Sequence, residues 1–234
     1  MLQNLALIEE VRTAIRLLEY GFRSLQQIDG ANDFYHVSLL TIASGFERLM
    51  KTIICLDVLE QTGAFPTSSS LFSGRKGHDL EMLLAKVLTQ HFTSAYINSC
   101  VAASQDHNYL TGDPEFRKLF RILSDFGQAA RYYNLDVILG TPRRTGSPEA
   151  EWKKLEFDFF AQDADWAAQL TNSAKLTEIH ERINREIVSR LERCVRALVR
   201  LFTLGALGPL AKQQTGTIWP FLTLMDSDLG KRKY

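Results

Sequence analysis

The chain has 234 residues, 45% of them hydrophobic and 23% charged, with Lys+Arg 27 set against Asp+Glu 27. These are ordinary globular values with room for a substantial core. The even charge balance excludes a global pull toward nucleic acid or membrane, so any such affinity has to come from local clustering.

Ile8, Val11, Ile15, Leu18, Phe22 and Leu25 alternate spacings of three and four, which predicts a first helix from about Leu5 to Gln27. Asp33 is the expected N-cap of a second helix that reaches roughly Glu60 and stops at Gly63. Residues 63–77 are rich in Gly, Pro and Ser and read as a loop. A third helix opens at His78-Asp79-Leu80, with Asp79 as its cap, and a polar, less regular stretch follows from Thr93 to Thr111. Asp113-Pro114-Glu115 starts a fourth helix: cap, proline at the first position, acid in the first turn. It carries Phe116, Leu119, Phe120, Leu123, Phe126 and Ala130, then Arg131-Tyr132-Tyr133, and is expected to end near Gly140. Thr141 to Gly146 form a basic loop, Ser147-Pro148-Glu149 starts the next helix, and the last long helix runs from about Ala174 to Leu204. Beyond Gly208-Pro209 a short tail is expected.

No run of alternating β-branched residues is long enough to suggest a sheet. The expected fold is all-α: an antiparallel helical bundle over residues 1–140, with residues 141–234 as a helical extension packed on the same core. The three cysteines, Cys55, Cys100 and Cys194, are scattered, with no metal-binding spacing, as in a cytoplasmic protein with reduced thiols. Met1-Leu2-Gln3-Asn4 lacks the basic region and cleavage site of a signal peptide. Residues 87–105 carry no Asp, Glu, Lys or Arg, but are too polar for a membrane span. No cofactor, metal or membrane partner is expected.

Glu47 is the residue that most needs a reason. On a helix its same-face neighbours are Leu40, Ala43, Ser44, Met50, Lys51 and Ile54. Ionised carboxylates avoid apolar stripes unless paired, and Lys51 is the local partner. The pair reads either as an i,i+4 contact at the margin of a core helix or as part of a polar cluster. The cluster would gather Glu47, Lys51, His78, Asp79 and Arg131 at one end of the bundle. His78-Asp79 also reads as a plain helix cap, and Arg131-Tyr132-Tyr133 as aromatic packing beside a long cation.

Taken in order, Glu47-Arg48-Leu49-Met50-Lys51, Gly77-His78-Asp79-Leu80 and Ala130-Arg131-Tyr132 resemble the HEPN superfamily (higher-eukaryote and prokaryote nucleotide-binding domain) over roughly residues 1–140. The resemblance implies a four-helix bundle that pairs as a homodimer, and the first and fourth helices carry wide apolar faces. It also implies either metal-independent ribonuclease activity or a non-catalytic binding or assembly role. The setting it implies is prokaryotic antiviral defence or a toxin–antitoxin complex with a protein partner. The family's ribonuclease motif is Arg, four to six residues, then His, in which the imidazole moves a proton and the guanidinium holds phosphate. None of His36, His78, His91, His107 and His180 has an Arg five to seven residues before it. The non-catalytic module is therefore the leading expectation. The alternative ribonuclease would use Arg131 with Tyr132, Tyr133 or Asn134.

A third reading is a nucleic-acid-binding accessory protein. At 100° per residue, Arg182, Arg185, Arg193, Arg196 and Arg200 fall within an arc of about 80° on the last long helix, opposite its apolar face. Such a stripe could follow a phosphate backbone. Glu178–Arg182, Glu181–Arg185, Glu186–Arg190 and Glu192–Arg196 would instead make it a self-neutralised, solvated face. Arg193 and Arg200 lack a Glu four residues before them and are the expected points of contact. The Ser68-to-Gly77 loop lacks the phosphate-binding GxxxxGK[ST] order, and no HExxH, GxSxG or GxGxxG occurs.

Overall fold

A computed structural model describes residues 2–29, 32–67, 72, 75–128, 130–141, 146–161 and 176–234. Among these the regular elements are helices and there is no strand, so the protein is all-α.

α1 (Leu2–Gln26) and α2 (Tyr35–Thr62) form a long antiparallel hairpin. Two glycines bring their axes close. A Cβ on Gly21 would lie 2.4 Å from Ile42 Cγ1, and one on Gly45 2.8 Å from Leu18 Cγ. Of the seam read from sequence, Val11, Ile15, Leu18, Phe22 and Leu25 are buried, whereas Ile8 is half-buried and its neighbour Leu7 is buried instead. α2 ends at Gly63, whose φ of 72° is the left-handed C-cap that glycine adopts most easily. Asp33 does not cap α2 as expected. The cap position is Phe34, without a side-chain bond, and the Asp33 carboxylate lies 3.6 Å from Lys153 Nζ.

α3 (Leu80–His91) opens on Asp79, whose Oδ1 accepts the Met82 N–H at 3.0 Å. The stretch expected to be irregular contains two helices, α4 (Ser94–Ile97) and α5 (Val101–Gly112). α5 escapes a hydropathy reading because the face it buries includes Asp106 and Tyr109 beside Ala103 and Leu110. α6 (Pro114–Gln128) starts as expected, with the Phe116 N–H donated to Asp113 Oδ1 at 2.8 Å. It does not continue to Gly140. It stops at Gln128, and a 3-10 turn (Ala130–Tyr132) leads into α7 (Tyr133–Ile138). The core ends at this break: Phe126 and Ala130 are buried, whereas Leu135, Ile138 and Leu139 are exposed.

α8 (Pro148–Ala161) packs on α6, and α9 (Leu176–Leu204) packs on α1, α2, α5, α6 and α8. Residues 194–199 of α9 are all buried, so this stretch of the helix is enclosed on every side. The chain after Gly205 is more than a tail. α10 (Gly208–Lys212) packs on α2 and α9, and α11 (Thr215–Leu222) on α1 and α9. Tyr234 then sits against Phe22 and Phe221, with ring centroids 5.5 and 5.9 Å away. One hydrophobic core joins residues of α1, α2, α3, α6, α8, α9 and α11. The apolar faces of α1 and α6, which suggested a dimer seam, are occupied inside it.

Candidate functional site

Glu47, Lys51 and His78 meet. Lys51 Nζ donates to Glu47 Oε1 at 2.6 Å, and His78 Nδ1 lies 3.0 Å from both Glu47 oxygens. The side chains of Glu47 and Lys51 are 17% and 22% exposed, and that of His78 is 48% exposed. His78 closes a 3-10 turn (Arg75–His78) just before the Asp79 cap. Behind it, Ser124 of α6 accepts the Leu80 N–H at 2.9 Å and donates to Asp79 Oδ1 at 3.3 Å. A Cβ on Gly127 would stand 3.4 Å from the His78 carbonyl, so α6 runs close under the turn. The group thus ties α2, α3 and α6 together, and its acid, base and imidazole satisfy one another. Lys51 also stands 5.3 Å from the Phe72 ring centroid.

Arg131 is not part of this group. It lines a cavity of about 190 Å³ at the start of α2, whereas Glu47 lies at mid-helix; Asp33, Tyr35, His36, Phe126, Tyr133, Asn134, Ser147 and Glu149 are among its walls. His36 and Glu47 are separated by about 16 Å along the helix axis, at 1.5 Å per residue. α6 runs antiparallel to α2, from Phe120 beside Phe46 to Phe126 beside His36, and so delivers Arg131 to this end. Its guanidinium carbon lies 5.0 Å from the Tyr132 ring centroid, and its Nε is buried without a hydrogen-bond partner among the described residues. Tyr133 and Asn134 face the cavity, while Tyr132 is the platform on which the guanidinium rests. Two acids on the wall face a cation of their own: Lys153 Nζ lies 2.6 Å from Glu149 and 3.6 Å from Asp33.

His36 shares this cavity, and sequence reasoning missed it. Its ring meets Phe126 edge-on, with centroids 5.8 Å apart. Only tertiary structure joins it to Arg131, because no local spacing relates the start of α2 to the turn after α6.

Beneath the cavity lies a buried carboxyl that the sequence did not flag. Glu156 Oε2 accepts the Tyr35 O–H and Oε1 accepts the Trp152 N–H, each at 3.0 Å. Burial pushes Glu156 up to about 7 against the pull of those two bonds and of the Lys153 charge. Burial and the neighbouring carboxylate push the Tyr35 phenol above its ordinary range.

The arginines of α9 do not form a solvent-facing stripe. Arg182 and Arg185 are exposed. Arg193 packs over Tyr109, 4.3 Å from the ring centroid. Arg196, only 4% exposed, donates to the Leu224 carbonyl at 2.8 Å and to Asp226 Oδ1 at 2.6 Å, which holds the Asp226 carboxyl below its usual range. Arg200 Nη1 donates to both oxygens of Asp106 at 2.8 Å. At Arg193, Arg196 and Arg200 the face opposite the apolar residues is covered by α5 and by the turns after α11. Glu186 pairs with Arg190 as expected. Glu192 turns instead to the Gly230 N–H and the Tyr234 hydroxyl, both at 2.5 Å.

A larger, apolar groove of about 420 Å³ lies between α1, α2 and the residues Phe65, Pro66 and Phe72. Its charged groups are already paired, Glu10 with Arg48 and Lys51 with Glu47. Among the described residues no group of His, Cys, Asp and Glu is placed to hold a metal ion, and no helix is long and apolar enough to cross a membrane. Set against known protein families, curated proteins and solved structures, the chain matches none of them.

Proposed function

We propose that this protein is a HEPN-like helical binding module, non-catalytic, and that it takes a phosphodiester-bearing ligand in the Arg131 cavity. The carrying observation is the state of Arg131: its Nε is buried without a hydrogen-bond partner among the described residues, in a cavity it shares with His36, Tyr133, Asn134 and Ser147. A guanidinium with donors to spare is matched by phosphate oxygens. Of the two wall carboxylates, which would repel an anion, Lys153 offsets one, and the Arg131 charge stands against the other. The Glu47–Lys51–His78 group is self-satisfied and supports the bundle rather than a reaction. From the resemblance come a cytoplasmic setting in prokaryotic defence or a toxin–antitoxin complex, and a homodimer. The test is binding of a short oligoribonucleotide in low-salt buffer. Binding should be detectable, weaken with salt, and be lost in Arg131→Ala; equal binding by that variant would end the proposal.

A second reading has one specific observation in its favour. His36 and Arg131 line one cavity, which supplies the proton-transferring and phosphate-holding pair of a metal-independent ribonuclease without the usual spacing. RNA cleavage in the presence of a chelator, abolished in both His36→Ala and Arg131→Ala, would establish it over the non-catalytic module.

A further inference from the structure

α8 forms one wall of the Arg131 cavity through its first turn and the residue before it, Ser147, Pro148 and Glu149; Tyr35 of α2 forms part of another. Below the cavity the two walls are joined by a buried carboxyl and by a pair of packed rings. Glu156, 8% exposed, takes one hydrogen bond from Tyr35 across the helix interface and one from Trp152 on its own helix. The Tyr35 and Trp152 rings pack together with centroids 5.8 Å apart. Both donors to Glu156 are neutral, so an ionised carboxylate there lacks the bonded cation that buried charges need.

We propose that Glu156 is a proton-sensitive latch: protonated, it seats α8 against α2 and completes the Arg131 cavity, and ionised, it loosens that wall. This rests on the reading of the cavity as the ligand site. Charged and titratable groups among the described residues surround the latch from several elements. On α8, Lys153 acts on Glu156 but is bonded to Glu149 and lies near Asp33. From the start of α2 come Asp33, Tyr35 and His36. From α6, Lys118 pairs with Asp158, and from α9, Arg190 packs over Phe159.

The direction follows from linkage. Burial raises Glu156 to about 7 from an ordinary value of 4.5. A carboxyl raised on folding contributes stability that is full below its unfolded value and is lost as pH rises through its folded one. For these two values the seated state should weaken about tenfold between pH 6 and pH 8.

The experiment has two arms. In the first, urea unfolding is followed from pH 6 to pH 8 for the intact chain and for Glu156→Gln, which keeps the shape and cannot ionise. The unfolding constant of the intact chain should rise about tenfold relative to the variant. Tyr35→Phe removes a bond that holds the carboxyl down, so its inflection should move to higher pH. Parallel profiles for the intact chain and Glu156→Gln, or an unmoved inflection in Tyr35→Phe, overturn the latch. In the second arm a dinucleoside monophosphate is the probe, because its one phosphodiester charge does not titrate in this range. The intact chain should bind it more tightly at pH 6 than at pH 8, and Glu156→Gln should lose that part of the dependence. His36→Gln should retain it. Retention in Glu156→Gln with loss in His36→Gln would assign the dependence to the imidazole and overturn the coupling. Absence of probe binding at every pH, with the urea difference intact, would remove the ligand reading and leave the latch supported.

Discussion

Arg200 of α9 places Nη1 2.8 Å from each carboxylate oxygen of Asp106, a residue of α5 that is 1% exposed. This ion pair joins two helices inside the core. Burial pushes the Asp106 carboxyl up, and Arg200 draws it back down.

Breaking such a pair from one side strands a charge. Arg200→Ala should cost about 3–5 kcal/mol, whereas the double change Asp106→Leu with Arg200→Met should cost much less, because both polar groups leave together. Urea denaturation of the two variants checks this. A loss below about 0.5 kcal/mol for Arg200→Ala would mark Arg200 as a surface residue after all, and restore it as a free phosphate contact.

The chain itself carried much of the bundle. The seam of α1, the Asp79 and Asp113 caps and the Gly63 stop each rest on neighbours within four residues, and such local rules survive folding. What failed depended on distant partners. The arginines of α9 looked solvated because α5, the helix that covers them, was itself hidden by a buried Asp and Tyr. Of the polar cluster, Glu47, Lys51 and His78 came together, since a helix turn and a cap place them. Arg131 did not, because α6 runs antiparallel to α2 and has passed the level of Glu47 and reached His36 by Phe126. His36 and Glu156 gave no local sign: one shares a cavity with Arg131, far along the chain, and the other bonds Tyr35 across the α2–α8 contact.

The Glu47 group is a staple of intermediate strength. Its carboxylate is 17% exposed, Lys51 22% and His78 48%, so water screens part of each interaction. Glu47→Gln should cost about 1 kcal/mol, at the top of the range for exposed pairs and well below a buried one. Urea denaturation reads it. A loss of 3 kcal/mol would mean the group is sealed from solvent, and no measurable loss would mean the side chains part in solution.

The last prediction concerns assembly. With the apolar faces of α1 and α6 enclosed, the candidate pairing surface shifts to α7. Leu135, Ile138 and Leu139 are 55%, 78% and 69% exposed, and their i, i+3, i+4 spacing puts them on one face. Tyr132, three residues before Leu135 and 46% exposed, lies on the same side. A contiguous apolar surface of this kind is unusual on a monomer and marks a site of association. The expected assembly is a two-fold homodimer through α7, burying more than about 1,000 Å² in total. Light scattering at micromolar concentration should give twice the chain mass. Ile138→Asp with Leu139→Asp should give the single-chain mass, with unfolding at matched low concentration shifted by less than about 0.5 kcal/mol per exposed site. Because Tyr133 and Asn134 of the same helix line the Arg131 cavity, the paired form should bring two cavities near the shared seam. Oligoribonucleotide binding should then weaken in the monomeric variant even though Arg131 is untouched. An intact chain that scatters as a monomer would remove this assembly and leave α7 as an exposed helix beside the cavity.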